Sequence, residues 1–350
     1  MKYRPPLAHV PLRWTLLALL IGSVAVILLG CLIGAVRIPI GEQLSILQSA
    51  LFGGDRPRDG LAMLYLSLRL PRVLTAYLVG VALACVGALF QSLLRNPLAE
   101  PYIIGVSPGA SLGVTLFIVL AARVAPDNAS TLVLAGRTTF AFIGGVIAVI
   151  AAYLLASRGR FLSLSDILLA GIAISSLGVA LTSYLWIRVL QEFRGLLYWL
   201  MGNLGGSSWS QVRLLLLLTA PSVAISWRLA PALNLMLLGE EHAAFLGLNV
   251  ERFKRGLLAL GTLAAAGTVA VGGVIGFVGI IVPHIVRRLL GSDNARVIPA
   301  SSLAGGMFLV LCDLLARTLL TPLELPVGML TALIGAPFFL YILRQSQRAR

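Results

Sequence analysis

The sequence predicts an all-α protein embedded in a membrane, built from about ten transmembrane helices, and three observations carry that prediction. The chain is 59% hydrophobic and only 11% charged, whereas soluble domains average roughly a quarter charged residues. Its mean hydropathy is +0.97. Apolar runs of about 20 residues, the length that crosses a hydrocarbon core as a helix, recur from end to end. Lipid offers no partner for unpaired backbone groups, so spanning segments are helices or closed barrels. The short alternating strands of a barrel are absent from the sequence pattern.

Taken in order, the spans are expected near residues 14–36, 69–94, 103–123, 136–156, 165–187, 211–230, 255–274, 275–290, 300–320 and 326–343, in one transmembrane domain covering 1–350. Met1 to Arg13 is basic and leads into an apolar run too long for a signal-peptide core, with no small-residue cleavage site behind it, so it reads as a retained first span. Pro97, Pro101 and Pro108 follow one another so closely that Asn96 to Gly113 cannot form one smooth helix. A glycine-rich turn at Val271-Gly272-Gly273-Val274 divides the seventh span from the eighth, and Pro283 with His284 predicts an interruption inside the eighth. Glycines within the spans, among them Gly80, Gly87, Gly144, Gly145, Gly171 and Gly178, predict close helix packing.

The formal net charge is +14, yet Lys2 and Lys254 are the sole lysines. No soluble stretch is long enough for a nucleic-acid domain, so the arginines read as flanks of spans. Clusters at Arg158 and Arg160, Arg252 to Arg255, Arg287 and Arg288, and Arg344 to Arg350 place both termini on the cytoplasmic side. By that topology Arg69 and Arg72, which bracket Pro71, lie on the outer side with Arg188, Arg194 and Arg317. Positive charge there suits either anchoring or an acidic docking partner.

Candidate chemistry is sparse. Neither lysine follows glycine in a phosphate-binding loop, so ATP hydrolysis by that route is not expected of this chain. Cys31, Cys85 and Cys312 lie in apolar runs and suggest neither a disulfide framework nor a metal site. Asp313 is the clear intramembrane acid. Arg317, four residues on, predicts an internal ion pair, with proton coupling by Asp313 as a rival reading. Gly105-Val106-Ser107-Pro108-Gly109 matches G-x-S-x-G, and with His284 as base it would make an intramembrane serine protease, but the strand-to-helix context of that motif is missing. The loop of about 231–254 contains Leu238 to Leu248, a short amphipathic helix with acidic residues in its first turn and glycine at its close. Ala244, Phe245 and Leu248 would share its apolar face, and its acidity favours a protein partner over a lipid surface.

Several blocks together closely resemble the FecCD family of binding-protein-dependent permeases. They are Arg69-Leu70-Pro71-Arg72 through Gln91 and Asn96-Pro97-Leu98-Ala99-Glu100-Pro101, then Gly105 to Ala110 and Tyr198-Trp199-Leu200-Met201-Gly202. Leu238-Gly239-Glu240 with Leu246-Gly247-Leu248, Gly276 to Gly279 with Val282-Pro283-His284-Ile285-Val286-Arg287, Glu324 to Gly328 and Gly335-Ala336-Pro337 complete the match. The resemblance covers nearly all of the chain after the first span.

It implies the type II ABC importer permease architecture: a homodimer of ten-span subunits in the bacterial inner membrane, with the translocation path between them. Two cytoplasmic ATPase subunits, which hold ATP and Mg, would dock on Gly239, Glu240, Glu241, Ala244, Phe245, Leu246, Gly247 and Leu248. A periplasmic binding protein would dock on Arg69, Arg72 and Arg317. The inner gate would map to Asn96 and Leu98 and to Ser163, Leu164 and Ser165, where the leucine departs from the family's hydroxyl run. No catalytic residue, metal or cofactor is expected on this chain itself. The cargo expected is a ferric siderophore, then haem, then cobalamin.

Overall fold

A computed structural model describes residues 5–7, 9–34, 36, 38–52, 60–124, 129–158, 161–189 and 194–348. Within them the regular structure is helical apart from one two-residue antiparallel ladder, Ser157–Arg158 (β1) with Phe161–Leu162 (β2). The helices are α1 (Leu12–Leu32), α2 (Ile40–Phe52), α3 (Gly60–Met63), α4 (Leu70–Leu93), α5 (Val106–Val124), α6 (Ala129–Ala156), α7 (Leu164–Val189) and α8 (Arg194–Leu200). They continue as α9 (Trp209–Arg228), α10 (Ala230–Leu237), α11 (Glu240–Phe245), α12 (Val250–Gly272), α13 (Val278–Leu290), α14 (Asn294–Thr318) and α15 (Val327–Arg348).

Eight helical runs among the described residues are long and apolar enough to cross a membrane, and the ninth expected helix, α14, is one of them. The tenth falls short, its apolar part in α15 being Val327–Ile342, and so does the eighth expected span. The eighth forms α13, a helix of 13 residues, about 20 Å long at 1.5 Å per residue and shorter than the hydrocarbon core. The sequence also hid α2 and the start of the second span, which begins nine residues early at Gly60 and continues through a π-helical turn at Leu64–Arg69.

α4 is the axis of the bundle. It packs against α1, α9, α10, α12, α13 and α14, while α5, α6 and α7 form a neighbouring group joined to it through α12. Small residues permit these approaches, because dispersion between close backbones replaces the hydrophobic drive that lipid removes. A Cβ on Gly80 would fall 2.2 Å from Gly305 O, and one on Gly87 would fall 2.1 Å from Gly279 O. α1, by contrast, is mostly exposed, with Trp14, Leu20, Ile21 and Val24 facing outward as lipid-facing residues do.

The prolines shape the helices differently from the sequence expectation. Pro283 does not interrupt α13; the break lies before it, at 273–277. A helical proline leaves the carbonyl four residues earlier without its donor, and Gln91 Nε2 supplies one to Gly279 O at 3.0 Å. Pro299 likewise strands Ala295 O, which accepts from Trp227 Nε1 at 3.0 Å. In the π turn Leu70 N–H reaches back to Tyr65 O. Continuing that pattern, residue 71 would serve Leu66 O; it is proline, and Trp209 Nε1 donates there instead at 2.9 Å.

Candidate functional site

The three expected docking arginines converge on one pocket of about 230 Å³, lined by Arg69, Arg72, Arg317 and Glu324 with Gly34 and Gly205. Two of them are not surface groups. Arg69 and Arg317 are 5% and 4% exposed, and both reach the C-terminal carbonyls of α1. Arg317 Nη2 donates to Gly30 O at 2.7 Å, while Arg69 donates to Cys31 O at 3.3 Å and to Val36 O. Carbonyls of a last helical turn lack intrahelical donors and carry the negative end of the dipole, so guanidinium groups satisfy them doubly.

Arg72 is the acid-paired member. Its Nε donates to Asp313 Oδ1 at 3.0 Å and its Nη1 to Glu324 Oε2 at 2.7 Å. The expected Asp313–Arg317 pair is present at 3.3 Å between Oδ2 and Nε, without hydrogen-bond geometry. Asp313 thus sits between two guanidinium groups and is 1% exposed. Three guanidinium groups against two carboxylates leave the pocket with one net positive charge. Glu324 was visible in the sequence as part of a family motif, with no local signal of its partner.

The six-residue helix α11 presents a second site. Gly239 (φ 118°) precedes it, and Gly247 (φ 89°) closes it, with Leu248 N–H on Ala243 O and Gly247 N–H on Ala244 O. That is the Schellman closure, which needs a left-handed residue at Gly247. Ala243 is its buried anchor, whereas Ala244, Phe245 and Leu246 face outward, Phe245 being 90% exposed. Leu248 is half-buried rather than on a common face with Phe245. Glu241 is exposed, but Glu240 turns back and accepts from Lys254 Nζ at 2.9 Å. Lys254 is 2% exposed and also pairs with Glu251 at 2.7 Å. A buried ammonium between two carboxylates ties α11 to the first turn of α12, a link the sequence did not announce.

The expected gate residues lie in two segments. Two residues after α4 ends, Arg95 is a non-glycine residue in the left-handed region (φ 48°), and Asn96 N–H donates to Gln91 O at 3.1 Å. Asn96 is exposed, and its Oδ1 accepts from Leu98 N–H at 2.9 Å, setting the turn before Pro97 and half-buried Leu98. As expected, 94–105 is irregular, but helix resumes at Val106, with Pro108 in the first turn where no donor is needed. Ser163 caps α7, its Oγ accepting from Asp166 N–H at 3.2 Å. Ser165 is exposed, and the Leu164 side chain lies outside the described residues. Beyond these residues, α7 packs closely on the irregular run at Gly171, where a Cβ would fall 2.8 Å from Ile103 O.

Within the irregular run, Glu100 Oε1 accepts from Phe277 N–H at 2.7 Å and so caps α13, whose N-cap Phe277 is left-handed. Burial pushes the Glu100 carboxyl above its ordinary range, opposed by that N–H.

Ser107, the rival nucleophile, is buried in the first turn of α5, and its Oγ has no hydrogen-bond partner among the described residues. His284 instead lines a small pocket with Arg288, Phe338 and Tyr341. No described residue is placed to take the Ser107 proton, and an irregular segment rather than a strand precedes it, so the protease geometry is missing. Arg188 and Arg194 carry side chains outside the described residues.

A family model described as the FecCD transport family matches residues 19–345. The cobalamin import system permease protein BtuC of Halobacterium salinarum is 42% identical over 281 residues, covering 80% of this chain and 73% of that protein. The hemin transport system permease protein HmuU of Yersinia pestis is 40% identical over 292 residues, covering 83% of this chain and 86% of that one. Among solved structures, an inward-facing conformation of a metal-chelate type ABC transporter superposes with TM-score 0.80 at 29% identity, covering 94% of this chain and 98% of its own.

Proposed function

This chain belongs to the FecCD transport family, and on that premise we propose that it is the membrane-spanning permease subunit of an ATP-driven importer. It works as a homodimer in the cytoplasmic membrane of a bacterium, both termini inside, and passes a metal chelate or tetrapyrrole-type cargo inward by alternating access. The observation that carries the reading is α11: a short helix in an otherwise lipid-adapted chain, presenting Phe245 almost fully to solvent beside Ala244, Leu246 and Glu241. An exposed aromatic with a charged neighbour fits a partner's pocket better than it fits water.

Two cytoplasmic ATPases, carrying ATP and Mg, engage α11 and Gly247–Leu248, and a periplasmic binding protein presents an acidic group to the Arg69–Arg72–Arg317 pocket. The net positive charge there supports that docking. ATP binding shifts the equilibrium between outward- and inward-open dimers only through different affinities for the two states. The gate segments Asn96–Leu98 and Ser163–Ser165 open on the inner side in consequence. Asp313, held between Arg72 and Arg317, acts as a structural ion pair rather than as a proton carrier.

Relatives that carry cobalamin and hemin in their names support a large chelate cargo, with ferric siderophore ranked first. Uptake into proteoliposomes holding this chain, its ATPase and its binding protein, with ferric siderophore, haem and cobalamin offered in parallel, tests the proposal. ATP-dependent uptake of one cargo is the expected result; uptake driven by a proton gradient without ATP would overturn it.

A further inference from the structure

Four helices meet at one buried side chain near the inner end of α4. Asn294 opens α14 and is 0% exposed. Its Oδ1 accepts from Ser92 Oγ on α4 at 2.7 Å and from Arg287 Nη2 on α13 at 3.1 Å. Its backbone N–H and its Nδ2 both donate to Asn234 Oδ1 on α10, at 3.0 and 2.9 Å. Arg287 Nη2 reinforces the α4 side by donating to Ser92 Oγ at 2.7 Å and Ala88 O at 3.1 Å. Asn234 Nδ2 completes the set by donating to Asp293 Oδ1 at 2.7 Å.

Hydrogen bonds of this kind are directional, and breaking one strands a buried polar group. Apolar helix contacts can slide by a fraction of an ångström; this network either moves as a unit or comes apart. Its position gives that rigidity a use. α10 is separated from α11 by Leu238 and Gly239, and α4 stops at Leu93, three residues before Asn96. The network therefore bridges the base of the exposed helix and the start of the irregular segment that holds Asn96 and Leu98.

We infer that the Asn234–Asn294–Ser92 network transmits movement of α11 to the inner end of α4, with Asn234 and Asn294 as positioning residues. The inference rests on reading α11 as the ATPase contact. It differs from the Lys254 clamp, which ties α11 to α12 and does not reach the Asn96 segment directly.

The test is cargo taken up per ATP hydrolysed by the complete complex in proteoliposomes, using whichever of ferric siderophore, haem or cobalamin the wild type imports. Asn234→Ala cuts the α10 side and leaves Ser92, Asn294 and Arg287 joined. Uptake per ATP is expected to fall about tenfold, within the range of site-to-site coupling energies, while complex assembly and ATP hydrolysis persist. Asn234→Asp combined with Asp293→Asn keeps both bonds that residue 234 accepts from Asn294 and exchanges donor and acceptor between residues 234 and 293, with the side-chain oxygen at residue 293 left to cap Ala295 N–H, and is expected to restore the ratio. An unchanged ratio in Asn234→Ala, or an assembled exchange variant that stays uncoupled, overturns the inference. If Asn234→Ala does not assemble, Ser92→Ala removes the direct bond from Asn294 to α4, leaving only the route through Arg287 to Ala88 O, and is judged by the same ratio. A wild-type complex without ATP-driven uptake would overturn the underlying reading, and the inference with it.

Discussion

Arg72 Nε lies 3.0 Å from Asp313 Oδ1, joining the first turn of α4 to α14 across 241 positions of sequence. Asp313 also faces Arg317, so one buried carboxylate balances two guanidinium groups. A neutral amide in its place would leave those charges buried with less compensation. Asp313→Asn is expected to cost about 3–5 kcal/mol, the usual penalty for breaking a buried pair from one side. The thermal midpoint of the detergent-purified protein reads this. Glu324→Gln, altering a carboxylate that is 40% exposed, should shift the midpoint far less; equal shifts would show that burial is not what matters.

Docking is best tested at Arg72. Arg69 and Arg317 satisfy the end of α1, whereas Arg72 retains 11% side-chain exposure; because Arg72 also pairs with buried Asp313, docking is compared with Asp313→Asn, which breaks the same pair and keeps the guanidinium. Arg72→Gln is expected to weaken binding-protein association, chiefly through a slower on-rate, and to flatten its salt dependence. A titration against the binding protein at low and high salt checks it. Affinities identical to those of the wild type at both would remove Arg72 from the docking surface.

Phe245 is 90% exposed and contributes little to this chain's own core. Phe245→Asp is therefore expected to leave the thermal midpoint of the isolated permease unchanged and to cost the ATPase interaction at least about 2 kcal/mol, as truncated anchors at interface centres do. Co-purification of the ATPase with the variant measures this. Full co-purification would assign the ATPase contact elsewhere.

Gln91 and Pro283 form a pair whose members share one carbonyl. Gln91→Leu leaves Gly279 O buried without a donor and is expected to destabilise by about 1–3 kcal/mol. Pro283→Ala restores the backbone N–H that normally serves that carbonyl, so the double variant should recover part of the loss. Strictly additive effects in a double-mutant cycle would show that Gln91 and Pro283 do not act on the same oxygen.

Much of the architecture was legible in the residues because its causes are local. Apolar runs of spanning length located the membrane helices, and Gly247 announced the close of α11. Pro97 and its neighbours marked the irregular segment after α4. These signals depend on hydropathy and on backbone conformations of residues a few positions apart, so they survive without knowledge of the fold. The same locality explains the misplaced break at Pro283. A proline normally disrupts a helix, and nothing near it in sequence reveals that Gln91 lies ready to serve the stranded carbonyl.

What the sequence by itself determined is the class of solvent, most of the spans and their order, and a family-specific set of residues at particular turns. Only the tertiary structure decided which of those residues touch. It turned Arg69 and Arg317 toward the end of α1, gave Asp313 and Glu324 to Arg72, and closed Lys254 between Glu240 and Glu251. It also gathered Asn234, Asn294, Ser92 and Arg287 at one point. The reason is physical: hydropathy acts on each segment separately, whereas a buried charge or amide is satisfied by whichever partner helix packing brings within about 3 Å.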